Sequence, residues 1–536
     1  MQKKISLKLR PTAASDNSSV TQSIAQAEGI QTADITGFNV LRQSIDARSK
    51  QAFVNLTLQV FINEPYLERQ RQSFHFKEVH QSPRKVLVAG AGPAGLFAAL
   101  KLIEEGIKPI IIERGKDVRA RRRDLAILNK EGEVNPESNY CFGEGGAGTY
   151  SDGKLYTRSS KRGDVNRILN LFAYFGAAEK ILYESHPHIG TNKLPGIITS
   201  MREKIIACGG EILFEAKLVD LVISNNNVSA VKLSNGTVLA ADAVILATGH
   251  SARDIFQLLH SKKLLIESKP FALGVRAEHP QSLIDRAQYH QLTREPFLPA
   301  ASYSLVEQVD GKGVFSFCMC PGGIIAPAAT SPGELVVNGW SPSRRDNPFA
   351  NSGIVVTVEQ KDLAGLNLAE FEETCQQPPA SLNGPLGMMY FQQYVERKAF
   401  KAGGGRFVVP AQRLADFTDK KVSVSLPDCS YLPGLKSAAL DEVLPAFINE
   451  RLRVAFREFG KKIRGYHTNE AVVVATESRT SSPVRIPRDK LTLEHPQVKN
   501  LYPCAEGAGY AGGIVSAAMD GESIASRIAL VMKNGH

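Results

Sequence analysis

The sequence predicts an α/β protein whose parallel, dinucleotide-type sheet is assembled from two separated stretches, 84–270 and 465–536. An inserted α+β domain is expected over 271–464 and a small α+β domain over 1–80. Three observations carry this expectation: a glycine turn between two apolar strands near residue 90, a run of short strands ending in a small-residue turn at Gly249, and a glycine-dense stretch that opens the last helix.

The first observation is the most specific. An apolar run, Val86 to Val88, ends in Gly90-x-Gly92-x-x-Gly95, a helical pattern follows (Leu96, Leu100, Ile103), and a second apolar run, Pro109 to Ile112, closes on Glu113. That order is the Rossmann-like βαβ unit. Gly90 permits the tight turn, Gly92 lets backbone approach a pyrophosphate, and Gly95 lets helix and strand pack closely. Pro93 and Ala94 open the helix, whose N-terminus offers unpaired N–H groups to phosphate. Glu113 stands where a carboxylate accepts from ribose hydroxyls, and Arg114 follows it into the expected site.

Composition bounds the rest. A chain of 536 residues, 43% apolar and 22% charged, is that of a globular protein of several domains. No apolar stretch approaches the roughly 18 residues of a membrane span. The N-terminal MQKKISLKLRP lacks the apolar core of a signal peptide, so a cytoplasmic location is expected. Cys141, Cys208, Cys318, Cys320, Cys375, Cys429 and Cys504 show no metal-ligand spacing and read as reduced thiols. Cys318-x-Cys320 is the one close pair; on a strand its two thiols share a face, and packing as small hydrophobes is the expected role. The net charge of +10 includes clusters at Arg114, Lys116, Arg119 and Arg121 to Arg123, and at Lys461, Lys462 and Arg464. Without interleaved aromatics these read as a solvated face or one that attracts anionic cofactors and substrates.

Residues Ile5 to Leu9, Ser19 to Ala27 and Phe38 to Ile62 predict a β-α-β-β order, half of a ferredoxin-like sandwich, followed by a polar linker over Glu68 to Arg84. After Glu113 comes an arginine-rich helix and then FGEGGAGTYSDGKL, Phe142 to Leu155. Its glycines, Gly148 and Gly153 among them, suit backbone wrapped around a ligand, with Ser151, Asp152 and Lys154 as polar groups. Strands over Ile212 to Phe214, Leu218 to Ile223, Val228 to Leu233 and at Val238 are punctuated by asparagine turns. They lead to Ala243 through Ala247-Thr248-Gly249, where small residues pass a ligand at close range; Leu218 joins the expected lining. Within 271–464 the strands are Leu273 to Glu278, Gly313 to Cys318 and Leu335 to Asn338, with a helix over Leu440 to Phe459. The C-terminal segment from Asn500 runs through Glu506-Gly507 and Gly512-Gly513-Ile514 into a helix. Glu506 is placed to bind ribitol hydroxyls, and the helix to point its positive end at a flavin edge. No dedicated second Rossmann domain for a nicotinamide cofactor is expected.

Together these segments resemble the glutathione-reductase-like superfamily of FAD enzymes, with Glu506-Gly507 standing where Gly-Asp is usual. More closely the chain resembles a bacterial family of FAD-dependent dehydrogenases, or NAD(P)/FAD-dependent oxidoreductases, of unknown substrate. The residues carrying this likeness are Arg42-Gln-Ser-Ile-Asp-Ala-Arg48, FGEGGAGTYSDGKL, Phe317 to Gly323, Pro410-Ala-Gln-Arg413 and Ser481-Ser-Pro-Val-Arg485. The resemblance implies bound FAD but no particular substrate. The expected function is an FAD-dependent oxidoreductase with the flavin at the junction with the insertion, reduced either by NAD(P)H bound transiently in that same cavity or directly by an organic small-molecule substrate. An FAD-dependent enzyme that modifies tRNA or another nucleic acid is the alternative. The segment Phe317 to Gly323 is expected to border the reactive face of the flavin.

No catalytic residue is assigned. His250 and His467 are the best-placed histidines, each expected to be structural, and His186-x-His188 lacks carboxylates at metal spacing, so no metal is expected. Glu396-Arg397-Lys398 and Arg406 to Arg413 read equally as cavity lining and as a solvated helix and loop.

Overall fold

The computed structural model describes residues 1–157, 163–366, 371 and 381–534; Cys375 lies outside them. Its central element is a five-stranded parallel sheet in the order Leu501–Pro503, Ala243–Leu246, Lys85–Ala89, Lys108–Ile112, Glu211–Leu213. The strand from the end of the chain thus pairs with a strand from its middle, Val244 opposite Leu501. That pairing makes the domain discontinuous.

Alternation along Lys85–Ala89 explains why both faces of this sheet are covered. Val86 and Val88 point to one side and pack on helices Pro93–Glu105, Val165–Tyr174, Leu194–Ala207 and Ile514–Asn534. Leu87 and Ala89 point to the other side. They meet the antiparallel meander Leu218–Ser224, Asn227–Leu233 and Val238–Ala240, together with helix Arg253–Ser261. A strand buried on both faces reads as a continuous apolar run, as this one does.

The N-terminal segment runs strand, helix, strand, strand. Phe53–Ile62 lies between Gln2–Leu9 and Ile35–Asp46, antiparallel to both. Asp16 caps helix Asn17–Glu28 by accepting from Ser19 N–H at 2.8 Å, and left-handed Gly29 ends it. This small sheet is fastened to the rest through Gln43, whose N–H donates to Tyr183 O at 2.8 Å and whose carbonyl accepts from Ser185 N at 2.9 Å.

The insertion is built on a seven-stranded sheet in the order Val306–Val309, Lys312–Cys320, Phe349–Val358, Phe271–Pro280, Val472–Glu477, Val409–Arg413, Leu435–Ser437. Helices Gly387–Ala402 and Ala446–Lys462 contribute to its core. One strand of this sheet, Val472–Glu477, lies past the expected boundary at 464. It is buried along its whole length between two neighbours, so its sequence has no alternation to tell an antiparallel sheet from a parallel one. The helix expected over Leu440 to Phe459 is interrupted. Leu440–Glu442 is a short 3-10 turn, and Pro445, which has no N–H to give an earlier turn, caps the α-helix that starts at Ala446. Among the described residues, no helix is long and apolar enough to cross a membrane.

Candidate cofactor site

The strand Lys85–Ala89 delivers Gly90 at φ 110°, where a side chain would run into the Ala247 carbonyl of the neighbouring strand's turn. A side chain at Gly95 would likewise strike the Gly90 carbonyl. Gly92 is different. It has an ordinary φ of −75°, and a Cβ there would meet only Gly146 Cα, at an ordinary contact distance of 3.8 Å. The fold therefore requires Gly90 and Gly95, whereas only something lying in the cleft requires Gly92. Helix Pro93–Glu105 starts at Gly92 with no side chain capping it, leaving first-turn N–H groups for a ligand.

All the expected site residues except Gly95 and Gly512 line one cleft. Its walls come from the glycine turn (Gly90, Gly92, Pro93, Ala94), Glu113 and Arg114, and the loop Gly148 to Lys154. Leu218, Thr248 and Gly249 contribute from the meander side, and Glu506, Gly513 and Ile514 from the C-terminal segment. Gly95 lies beneath the turn. Gly512 stands behind Glu506, where a Cβ would come within 3.4 Å of Glu506 Oε1. Thr248 Oγ1 is a buried hydroxyl without a partner on this cleft.

The spacing Gly-x-Gly-x-x-Gly occurs twice more, at Gly143–Gly148 and Gly507–Gly512. Neither repeat sits in a second βαβ unit; the first lies in a loop, and the second links Leu501–Pro503 to the last helix. Gly146 and Gly148 bring the first stretch to the same cleft, and Glu506 and Gly513, which flank the second, line it as well.

Glu113 has a larger task than ribose binding. Its Oε2 accepts from Ala91 N at 2.9 Å, and its Oε1 accepts from Gly115 N and Gly143 N, each at 2.9 Å. One carboxylate thus ties the glycine turn to the glycine-dense loop, and three of its roughly four acceptor sites are filled from the backbone. Arg121, fully buried, complements it. Its guanidinium donates to the carbonyls of Asn139, Tyr140, Gly143 and Glu144 at 2.8 to 3.3 Å and stacks near Tyr150. Ser151 spends its hydroxyl locally, donating to Gly148 O at 2.7 Å.

Two other expected ligands face the insertion. Asp152 is buried and receives Arg345 through two bonds, 2.6 and 3.2 Å. Lys154 donates to Met319 O, and its Nζ lies 4.0 Å from both Cys318 Sγ and Cys320 Sγ. Cys318 is the one residue of 271–464 that lines the cleft among the described residues. The expected shared face of the two thiols is broken by a bulge: the ladder shifts register between Phe317 and Cys320, and Cys318 takes a left-handed φ of 46°. Cys318 consequently reaches the cleft while Cys320 is wholly buried.

Among the other lining groups, Lys217 and Asp254 carry no local sequence signal. Arg114 stacks on Phe142, 4.1 Å from the ring centre, and pairs with Glu137 at 2.6 Å and Asp254 at 2.9 Å. Lys217 joins the same carboxylates. Lys116 likewise pairs with Asp124, so three cations of that basic run, Arg114, Lys116 and Arg121, are engaged within the fold. His250 lines the cleft with Nδ1 2.8 Å from Ser251 Oγ; burial and the nearby Arg479 and Arg253 push it down to about 4. Burial pushes Glu506 up to about 7, against the pull of Lys269. His467 instead bonds Thr418 Oγ1 at 2.8 Å and is absent from the lining. Glu396 and the strand Val409–Arg413 are absent from it too. Glu396 is buried in an ion network with Arg253 and Arg479, 2.7 and 3.0 Å away, that fastens the insertion to helix Arg253–Ser261.

Residues 270–480 match the family described as FAD-dependent protein, C-terminal domain-like, residues 84–127 match the FAD binding domain family, and residues 1–61 match a domain of unknown function. The chain is 39% identical over 513 residues to an uncharacterized protein of Clostridium beijerinckii, covering 92% of each. It is 26% identical over 182 residues to the thiamine thiazole synthase of Aeropyrum pernix, 31% of this chain and 55% of that protein. Among solved structures, a geranylgeranyl bacteriochlorophyll reductase-like protein of Thermoplasma acidophilum is similar with a TM-score of 0.35 and 11% identity, covering 84% of this chain and 80% of that one.

Proposed function

Because this chain belongs to the family of FAD-dependent proteins that share its C-terminal domain, we propose that it is an FAD-dependent dehydrogenase or reductase of a small-molecule substrate. FAD lies in the cleft between the parallel sheet and the insertion. The observation that carries this reading is the pairing on one cleft of an uncapped helix N-terminus at Gly92, where a Cβ would clash with nothing in the fold, with the orphaned hydroxyl of Thr248. Phosphate suits the first and a polar cofactor edge the second.

FAD, when bound, supplies two-electron redox chemistry. The chain supplies position. Gly92, Pro93 and Ala94 present backbone to the pyrophosphate, and the remaining acceptor site of Glu113 serves a ribose hydroxyl. Arg114 on Phe142 forms a flat cationic wall, and Glu506 with the start of helix Ile514–Asn534 holds the far end. The substrate enters from the insertion's side, beside Cys318 and Lys154.

NAD(P)H, in this reading, reduces the protein by transient occupation of the same cleft, since neither further glycine spacing sits in a second βαβ unit. The described cysteines are unpaired, in keeping with a reducing cytoplasm. Anaerobic mixing of the purified yellow protein with NADH and NADPH tests the donor. Rapid bleaching by one of them is expected. Protein that neither bleaches, but that an organic donor does, would overturn the nicotinamide part and leave the dehydrogenase.

A further inference from the structure

The groups around Lys154 do not balance in charge. Three cations gather behind the cleft: Lys154, Arg345 and Arg276. Asp152 takes Arg345 at 2.6 Å and stands 3.7 Å from Lys154, while Glu477 takes Arg276 at 2.7 Å. His188, which also faces this cluster, is held neutral, pushed down to about 4 by burial and by Arg345. Two carboxylates therefore face three cations, of which Arg276 is fully buried and Lys154 is 36% exposed on the cleft. The remaining neighbours of Lys154 are the Met319 carbonyl and the two sulfurs at 4.0 Å. An ammonium held this close to a sulfur favours the thiolate over the thiol.

The backbone singles out which sulfur. The bulge at Phe317 to Cys320 and the left-handed φ of Cys318 turn that side chain into the cleft, while Arg276 Nη1 reaches its carbonyl at 3.5 Å. Bulges that re-aim one side chain and non-glycine residues held at positive φ concentrate at functional sites. Cys320 lies behind it, its thiol donating to Cys318 O at 3.2 Å. The neighbouring Cys320 thiol, and after it Lys154 and Arg276, favour the ionised form of Cys318 against its burial and the charge of Asp152.

We propose that Cys318, at the cofactor cleft, and Cys320, behind it, are a redox-active thiol pair, with Lys154 standing against both sulfurs. The proposal rests on the FAD reading. In the step, the Cys318 sulfur forms a bond to the Cys320 sulfur, Cys320 releases its proton, and two electrons pass to FAD, the two-electron acceptor; reduction of the disulfide reverses each change. The insertion thereby supplies a dithiol through which a thiol or disulfide substrate exchanges electrons with the flavin. Packing alone, the role expected from sequence, would explain neither the lysine between the sulfurs nor the missing negative charge.

Two measurements test it. Alkylation by iodoacetamide, followed by mass spectrometry on protein stripped of FAD, should modify Cys318 with a midpoint well below the ordinary thiol value of about 8.5. Lys154→Met should raise that midpoint by about one pH unit or more. Anaerobic dithionite titration of the air-oxidised holoprotein should take up four electrons per FAD, two for the flavin and two for the disulfide. Cys318→Ser and Cys320→Ser should each take up two, and they carry the test should Lys154→Met not fold. Yellow wild-type protein that takes up only two electrons overturns the thiol pair and leaves the FAD reading intact. Colourless protein that cannot be loaded with FAD overturns both.

Discussion

Glu113 and Gly143, thirty positions apart, are joined by a 2.9 Å hydrogen bond from the Gly143 N–H to Oε1. With the bonds from Ala91 and Gly115, it makes one carboxylate the anchor of both glycine segments that wall the cleft. Glu113→Ala should therefore destabilise the protein without cofactor by about 3 kcal/mol, from backbone donors left unpaired, besides weakening FAD by about 1–3 kcal/mol. Thermal melts of the stripped variant and wild type check this. An unchanged melting temperature would return Glu113 to a purely ligand-binding role.

Arg121 makes the matching prediction for the loop itself. Its buried guanidinium has carbonyls as its hydrogen-bond acceptors, so Arg121→Met leaves those of Asn139 and Tyr140 without a donor, while Gly143 O keeps Gly146 N and Glu144 O keeps the Thr149 hydroxyl. Loss of about 3 kcal/mol or more is expected, with new protease cleavage within 139–148. Arg121→Lys should recover only part, because an ammonium cannot span acceptors on both sides of a planar fork.

The buried pairs of Glu396 with Arg253 and Arg479 hold the insertion against the sheet domain. Glu396→Gln should cost about 3–5 kcal/mol, the scale of a buried ion network that loses one partner. Calorimetry should show the unfolding transition broadened or split as the two bodies lose their coupling.

Glu506 gives the protein without cofactor a pH signature. Its carboxyl rises from 4.5 to about 7 in the fold, so between these values the folded chain holds a proton that the unfolded chain has lost. Its favourable contribution is complete below about 4.5 and is lost as the pH rises through 7. Glu506→Gln should therefore gain stability relative to wild type as the pH is raised across that window. A difference that stays flat from pH 4.5 to 7 would contradict the burial of a bare carboxylate there.

How far the sequence reaches depends on how local the physics is. Gly90, Gly92 and Gly95 act through their own turn, and the apolar runs beside them could not avoid a two-faced sheet, so that unit was legible from residue order alone. The three bonds of Glu113 were not, because Gly143 reaches it only after the intervening helix Val118–Glu131 has folded back. Asp152 read as a cofactor contact, yet Arg345, 193 positions away, claims it. The strand Val472–Glu477 was assigned to the wrong side of a boundary because a strand buried on both faces looks alike in either sheet. At Cys318 the period-two rule failed for a definite reason, a bulge, and the failure lies where the reactive chemistry is proposed.

The most direct measurement compares flavin content in wild type and Gly92→Leu. The geometry at Gly92 leaves the fold room for a Cβ, 3.8 Å from Gly146 Cα, that a bound pyrophosphate would not tolerate. Wild-type protein should be yellow and release about one FAD per chain on denaturation, while Gly92→Leu should be colourless with an unchanged melting temperature of the stripped protein. A Gly92→Leu protein that retains its full FAD, or a wild type that cannot be loaded with FAD at all, would contradict a dinucleotide bound in this cleft.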